Sequence, residues 1–236
     1  MKKAVFERYE KKYLITNTQR EALISALADY IVPDEYGAYT ISNIYYDTDS
    51  YELIRASIEK PVYKEKLRLR SYGTPKEDDM VFLELKKKYK GIVYKRRLTL
   101  PYHQAVRLLQ KTDVTDGSQI LSEIEYFLSQ YPVSEKAFIC YDRVAYTGVE
   151  NHDLRITFDT NIRFRQIALQ LDEGTWGDTL LSQDQVIMEI KIPGVFPIWL
   201  SSLLSTLEVF PISFSKYGSC YKEFIANELL REKGCA

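Results

Sequence analysis

Lys64-Glu65-Lys66-Leu67-Arg68-Leu69-Arg70 carries a cation at every second position. Successive side chains of a β-strand alternate between faces, so Lys64, Lys66, Arg68 and Arg70 share one face. Glu65, Leu67, Leu69 and Ser71 take the other. For a lone strand the plain reading is a solvated outer face, because charged residues are mostly exposed. The pattern recurs, however, in strand after strand. Arg8, Glu10 and Lys12 alternate with Tyr9 and Tyr13; Glu84 and Lys86 alternate with Leu83 and Leu85. Lys95 and Arg97, Tyr141 and Arg143, Arg155 and Thr157, and Glu189 and Lys191 repeat the spacing. Arg8, Lys12, Lys66, Arg68, Arg70, Lys86, Lys95, Arg97, Arg143, Arg155, Lys191 and Lys216 make twelve cations, against the anions Glu10, Glu84 and Glu189.

Such a set suits phosphate chemistry. Arginine offers a planar fork to two oxygens and lysine a compact point charge. Phosphoryl transfer asks a protein mainly for positioning and for charge at the phosphate oxygens. A divalent cation such as Mg²⁺ or Mn²⁺ takes one or two carboxylates and fills its other sites with phosphate and water. Glu189, with Glu10 as the second, matches that count. Glu84 either joins them or pairs only with neighbouring cations. No glycine-rich phosphate loop is present, and His103 and His152 stand alone. Tyr141 and Tyr45 either hydrogen-bond phosphate or pack in the core. A module that only binds polyanions would have no use for Glu189, since a carboxylate among phosphates repels them unless a metal bridges the two. Nucleic acid is disfavoured because the basic face lacks aromatic stacking platforms in its central strands.

The elements that must position these side chains follow from periodicity. Strands are expected over Phe6–Ile15, Thr40–Thr48, Lys64–Ser71, Val81–Tyr89, Ile92–Leu100, Ala137–Thr147, Leu154–Asp159 and Val186–Ile192. A first helix is opened by Thr18 with Glu21 three residues on, a capping-box spacing, and ended by Pro33. Pro101 starts another as its first residue, and a second stretch spans about Ser118 to Tyr131, giving a helical hairpin insertion over about 101–131. An apolar helix begins near Pro197. A C-terminal amphipathic helix covers about 215–231, with Tyr221, Phe224, Ile225 and Leu229 at helical spacing.

The 236 residues carry 32 Lys and Arg against 33 Asp and Glu, so only the distribution of charge is informative. Three cysteines, odd in number and widely spaced, argue against a disulfide framework or a zinc site. No apolar run is long enough for a membrane span. A reduced, cytoplasmic protein is expected. The strand faces opposite the charges are rich in Leu, Ile, Val and Tyr, and helices can cover them from outside. The expected architecture is therefore α+β, a single domain over 1–236. Its antiparallel strands close into a β-barrel with a charged interior and helices packed outside. Burying so many like charges costs several kcal/mol per unpaired ion, which a polyanion would offset.

The same residues carry a family resemblance. Arg8-x-Glu10-x-Lys12-Tyr13 and Tyr45-Tyr46-Asp47-Thr48 with Leu53 resemble the opening motifs of the triphosphate tunnel metalloenzymes, the CYTH-like superfamily. Arg68-x-Arg70, Glu84-x-Lys86, Lys95-x-Arg97, Tyr141-x-Arg143, Arg155-x-x-x-Asp159 and Glu189-x-Lys191 follow in family order. The final Ser215-Lys216-Tyr217 resembles the VTC branch, the polyphosphate polymerase domain of the vacuolar transporter chaperone complex. The resemblance implies an eight-stranded tunnel that binds a triphosphate with a divalent metal, Mn²⁺ or Mg²⁺. In that branch the γ-phosphate of ATP passes to a growing polyphosphate chain. Carried over position by position, Lys12, Arg68, Arg70, Lys86, Lys95, Arg97, Arg143 and Arg155 would hold phosphates and Glu189 the metal. Arg8, Lys66, Lys191 and Tyr141 would add substrate contacts, and Lys216 would sit where product threads out. Glu10 is a departure: eukaryotic VTC catalytic domains tend to have a small polar residue there, whereas the hydrolytic branch keeps a glutamate. A triphosphatase is thus the alternative. The SPX regulatory domain and membrane spans of the eukaryotic proteins have no counterpart in these residues.

Overall fold

The computed structural model describes residues 8–90, 92–110 and 117–232. In chain order the strands are β1 (Arg8–Thr16), β2 (Ile31–Asp47), β3 (Tyr63–Tyr72), β4 (Met80–Tyr89) and β5 (Ile92–Pro101). They continue as β6 (Ser134–Gly148), β7 (Arg155–Arg165), β8 (Asp178–Thr179), β9 (Gln185–Pro193) and β10 (Pro211–Ile212). The helices are α1 (Asn17–Ala26), α2 (Glu52–Ile58), α3 (Tyr102–Leu109), α4 (Gln119–Gln130), α5 (Ile198–Thr206), α6 (Lys216–Cys220) and α7 (Ala226–Glu232). The sheet pairs in the order β10-β1-β9-β7-β6-β2-β3-β4-β5, with β8 on β7, and every pair whose register is defined is antiparallel.

The α+β class holds, but the strand count and closure do not match the expected eight-stranded barrel. Nine strands form an open path among the described residues, with β10 and β5 at its ends and the tenth, β8, paired to β7 off that path. Two of the ten, β8 and β10, are only two residues long. Such short strands leave no alternating pattern to detect.

The chain forms two compact units. The first comprises residues 1–40, 141–162 and 181–214; the second 41–140, 163–180 and 215–236. Each has its own core on the apolar strand face. In the first, Tyr13 and Ile15 of β1, Ile156 and Phe158 of β7, and Met188 and Ile190 of β9 pack with Leu23, Leu27, Leu200 and Leu204 from α1, its C-cap and α5. In the second, Leu67 and Leu69 of β3 and Leu83 and Leu85 of β4 pack beneath Ala105 and Leu108 of α3 and Ile124 and Phe127 of α4. Period-two apolar positions thus meet period-3.6 stripes, which fixes which strand face is left for the charges.

Local expectations shifted at element ends. Helix α1 is capped by Thr16, not Thr18: the Thr16 side chain accepts from Gln19 N and the Gln19 side chain from Thr16 N, completing the capping box two residues earlier. Both threonines have an acid or amide three residues on, so sequence alone does not separate them. Pro101 ends β5 and serves as the N-cap of α3 rather than its first helical residue. The first strand begins at Arg8; Phe6 and Glu7, with Cys235, fall outside the described residues. The C-terminal helix is interrupted by a π-helical turn, Tyr221–Ile225, between α6 and α7. Cys140 and Cys220 are buried thiols. Among the described residues no helix is long and apolar enough to cross a membrane.

Candidate functional site

In the second unit the antiparallel register lines up the charged face in rows. Tyr45, Arg68, Glu84 and Arg97 lie opposite one another across β2, β3, β4 and β5. Glu84 is 1% exposed and forms the hub of this row. Arg68 Nε donates to its Oε2 at 2.7 Å, Arg97 Nε to its Oε1 at 2.8 Å, and Lys95 Nζ lies 2.6 Å from Oε1. Arg70 Nη1 stands 3.9 Å from Oε2 while its Nε donates to Asn43 Oδ1 at 3.0 Å. Asn43 in turn donates to Ile139 O. Burial alone would raise the Glu84 carboxyl; the charges of Arg68, Arg70 and Lys95 outweigh it and hold the group well below the usual carboxylate range. Glu84 is a partner to cations here, one of the two roles left open for it. It fixes the directions of four side chains that sequence reasoning assigned to phosphate, with one negative charge among four positive ones.

The next row has no acid in it. Lys66 faces Lys86 and Lys86 faces Lys95; one step further, Lys64 faces Lys88. Like charges directly opposite are destabilising in a sheet. Burial and the nearby charges of Lys88, Lys60 and Lys86 accordingly lower the Lys64 pKa, and burial lowers that of Lys95 to about 8 against the pull of Glu84. Lys66 Nζ donates to Ser215 Oγ at 3.1 Å, and Ser215 caps α6, whose first residue is Lys216. The Ser-Lys-Tyr stretch therefore adjoins this lysine row, and Lys216 opens the C-terminal helical segment expected over about 215–231.

In the first unit Lys12 faces Glu189, which faces Thr157, across β1, β9 and β7; Glu10 faces Lys191, which faces Arg155. Glu189 Oε1 is 2.9 Å from Lys191 Nζ, and Glu10 lies diagonally across on the adjacent strand, where its side chain helps to lower the Glu189 pKa. Burial would raise the Glu189 carboxyl, but Lys191 and Lys12 hold it well below the usual range. Arg143 grips Asp159 with two bonds, Nε to Oδ1 at 2.6 Å and Nη2 to Oδ2 at 2.8 Å, and stands 3.9 Å from Glu189 Oε2. Its guanidinium carbon lies 5.2 Å from the Tyr141 ring centroid, and Tyr141 is buried. Arg155 Nη2 donates to Asp34 Oδ2 at 3.4 Å, and Lys12 Nζ donates to Phe214 O at 3.1 Å. The Arg8 side chain lies outside what is described.

Two site-forming groups escaped the sequence-based list. Asp159 sits inside the Arg155-x-x-x-Asp159 motif, and its face was legible from strand parity, but its pairing with Arg143 depends on the β6–β7 neighbourhood. Asn43 lies two residues before Tyr45 on the same strand face, an uncharged position that carried no signal. Among the described residues no cluster of three or more His, Cys, Asp and Glu could hold a metal. The donor set at Glu189 is two carboxylates on adjacent strands, which fits a hard divalent cation completed by phosphate and water.

Two solved structures share the fold. An adenylate cyclase candidate from Bacillus halodurans is 16% identical, with a TM-score of 0.53, covering 87% of this chain and 92% of its own. A Hippeastrum adenylyl cyclase candidate, described as having dominant triphosphatase activity, is 17% identical, with a TM-score of 0.56, covering 91% of this chain and 94% of its own. Comparison with curated proteins gave no match. The family model of the VTC domain matches residues 7–225, nearly the whole chain and every charged row just described, and the chain belongs to the VTC domain family.

Proposed function

We propose that the protein is a metal-dependent polyphosphate polymerase that transfers the γ-phosphate of ATP to a polyphosphate chain. The observation that supports this best is the Lys66–Lys86–Lys95 row, where lysine faces lysine beside a carboxylate already ringed by four cations. A chain of phosphates is the ligand whose charge density offsets such a surface. In this reading Arg68, Arg70, Lys86, Lys95 and Arg97 in one unit, and Lys12, Arg143 and Arg155 in the other, hold phosphate oxygens. Lys66, Lys191, Arg8 and Tyr141 add contacts, and Lys216 retains the product. Closure of the strands into a tunnel with these charges inside, action as one domain and a cytoplasmic location belong to the same proposal.

Glu189, with Glu10, would hold the divalent metal, Mn²⁺ or Mg²⁺, which when bound neutralises charge on the phosphates between which the bond is exchanged. Glu84 keeps the guanidinium forks of Arg68 and Arg97 directed before substrate arrives, so little reorganisation is needed as charge moves from the γ-phosphate to the leaving diphosphate.

The close approach of Glu10 to Glu189 favours one second reading, hydrolysis of triphosphate, since the hydrolytic branch resembled by the sequence keeps a glutamate there. Incubation with ATP and Mn²⁺, with products separated by length, decides between them. Polyphosphate many units long is expected. Orthophosphate alone would replace the polymerase with a triphosphatase, and no turnover with retained polyphosphate binding would leave a binding module.

A further inference from the structure

Thr157 is 1% exposed, yet its Oγ1 has no hydrogen-bond partner among the described residues. It belongs to the charged face, since its neighbours Ile156 and Phe158 lie in the apolar core. Across the sheet it stands directly opposite Glu189, where paired residues have their Cβ atoms about 5 Å apart. A buried hydroxyl left unsatisfied costs roughly what a lost hydrogen bond does, and native proteins seldom retain one without a use. A valine would fill the same space without that penalty. Glu189 stands between Thr157 on β7 and β1, where Lys12 faces it and Glu10 lies diagonally across, so the Glu189 carboxyl is the group shared by Thr157 and Glu10.

We infer that Thr157 Oγ1 is a neutral oxygen ligand for the divalent cation held by Glu189 and Glu10. This deepens the metal assignment above and rests on it. A third oxygen from a third strand gives the cation ligands from β1, β7 and β9, leaving its remaining positions to phosphate and water. Serine and threonine hydroxyls serve Mg²⁺ in this way in other phosphoryl-transfer sites. A neutral ligand adds no charge that a bound triphosphate would oppose.

The test compares wild type, Thr157→Val and Thr157→Ser by Mn²⁺ titration read by electron paramagnetic resonance, with and without imidotriphosphate, alongside metal-free thermal melts. The expected result is Mn²⁺ binding weakened by about tenfold or more in Thr157→Val and largely restored in Thr157→Ser. The metal-free melting temperature of Thr157→Val should be equal to or above wild type. Unchanged Mn²⁺ affinity in Thr157→Val overturns the inference, as does a lowered melting temperature, which would make the hydroxyl structural. Weaker imidotriphosphate binding in EDTA with unchanged Mn²⁺ affinity would make it a phosphate contact instead and also overturn it. Glu189→Gln serves as the control: if Mn²⁺ still binds there, the metal assignment itself fails, separately from the role of Thr157.

Discussion

Tyr217 Oη donates a hydrogen bond to Asp47 Oδ2 at 3.1 Å, although 170 residues separate them. Asp47 is fully buried and also accepts from the backbone N–H of Thr48, Leu53 and Ile54, so it caps the start of α2 from the preceding strand. The Tyr217 ring stacks on Tyr45, with centroids 4.8 Å apart. The Tyr-Tyr-Asp-Thr and Ser-Lys-Tyr motifs, which sequence presents as separate signatures, are therefore two ends of one buried contact. Tyr217→Phe keeps the stacking and removes the donor. It should lower stability by about 1.5–3 kcal/mol, the range for a hydrogen bond to a charged group. Urea unfolding checks this, and an unchanged midpoint would show that Asp47 is satisfied by the backbone alone.

Glu84→Gln keeps the shape of the hub and removes its charge. Breaking one partner out of a buried ionic cluster typically costs about 3–5 kcal/mol, and the four cations around Glu84 make this a severe case. The stabilisation has a definite pH signature. Because the folded-state pKa of Glu84 lies below its ordinary value of 4.5, its contribution is present above that pH and is lost as pH falls below it. Wild-type stability should therefore drop on acidification below about pH 4.5 more steeply than that of Glu84→Gln. Tripolyphosphate should raise the melting temperature of Glu84→Gln more than that of wild type, since the variant has one more unmatched positive charge. Equal shifts would separate Glu84 from the anion site.

Lys95, with its pKa lowered to about 8, makes the basic face pH-sensitive on the alkaline side. Above that pH the amine loses charge, so triphosphate affinity should fall. Folding stability should move the other way: between about 8 and the ordinary lysine value of 10.5 the unfolded chain binds more protons, so this residue's contribution rises with pH. Calorimetric titration of tripolyphosphate at a series of pH values reads the first effect. Lys95→Arg, which stays charged, should remove that alkaline limb. Its persistence in the variant would assign it to another group.

Lys216 opens α6 immediately after Ser215, which Lys66 also reaches. Under the polymerase reading it acts beyond the first three phosphates. Lys216→Ala should leave tripolyphosphate hydrolysis nearly intact and shorten the polyphosphate made from ATP. Gel separation of products alongside phosphate release tells the two apart, and equal loss of both would place Lys216 at the primary site.

The charged rows were legible because strand parity is strict: Lys66, Arg68 and Arg70 could not lie on the face of Leu67 and Leu69. What surrounds each charge was not, because register is a long-range property. That Glu84 has Arg68 and Arg97 opposite it, on strands to either side, is not written in its own neighbours along the chain. Four cations converging on one carboxylate also change the reading of Arg68 and Arg70. Sequence presents them as mutually repelling charges, and in the fold each helps hold a buried anion. Thr157 was visible only as an alternating position, since a hydroxyl without a partner is defined by what its neighbours fail to offer. The π-helical turn over Tyr221–Ile225 keeps the apolar spacing of an ordinary helix closely enough to pass for one.

Under the polymerase reading the lysine row would also make this surface an ion exchanger. Lys66, Lys86 and Lys95, with Lys64 and Lys88 beside them, would be the surface that a phosphate chain engages. A phosphate chain that bound there would shed cations condensed along it, and their release would supply part of the driving force, as it does when proteins bind the phosphate backbones of nucleic acids. Affinity then falls with added salt in proportion to the number of lysines engaged. The salt slope is thus a count of how far along the row a given chain reaches, which a single dissociation constant cannot reveal.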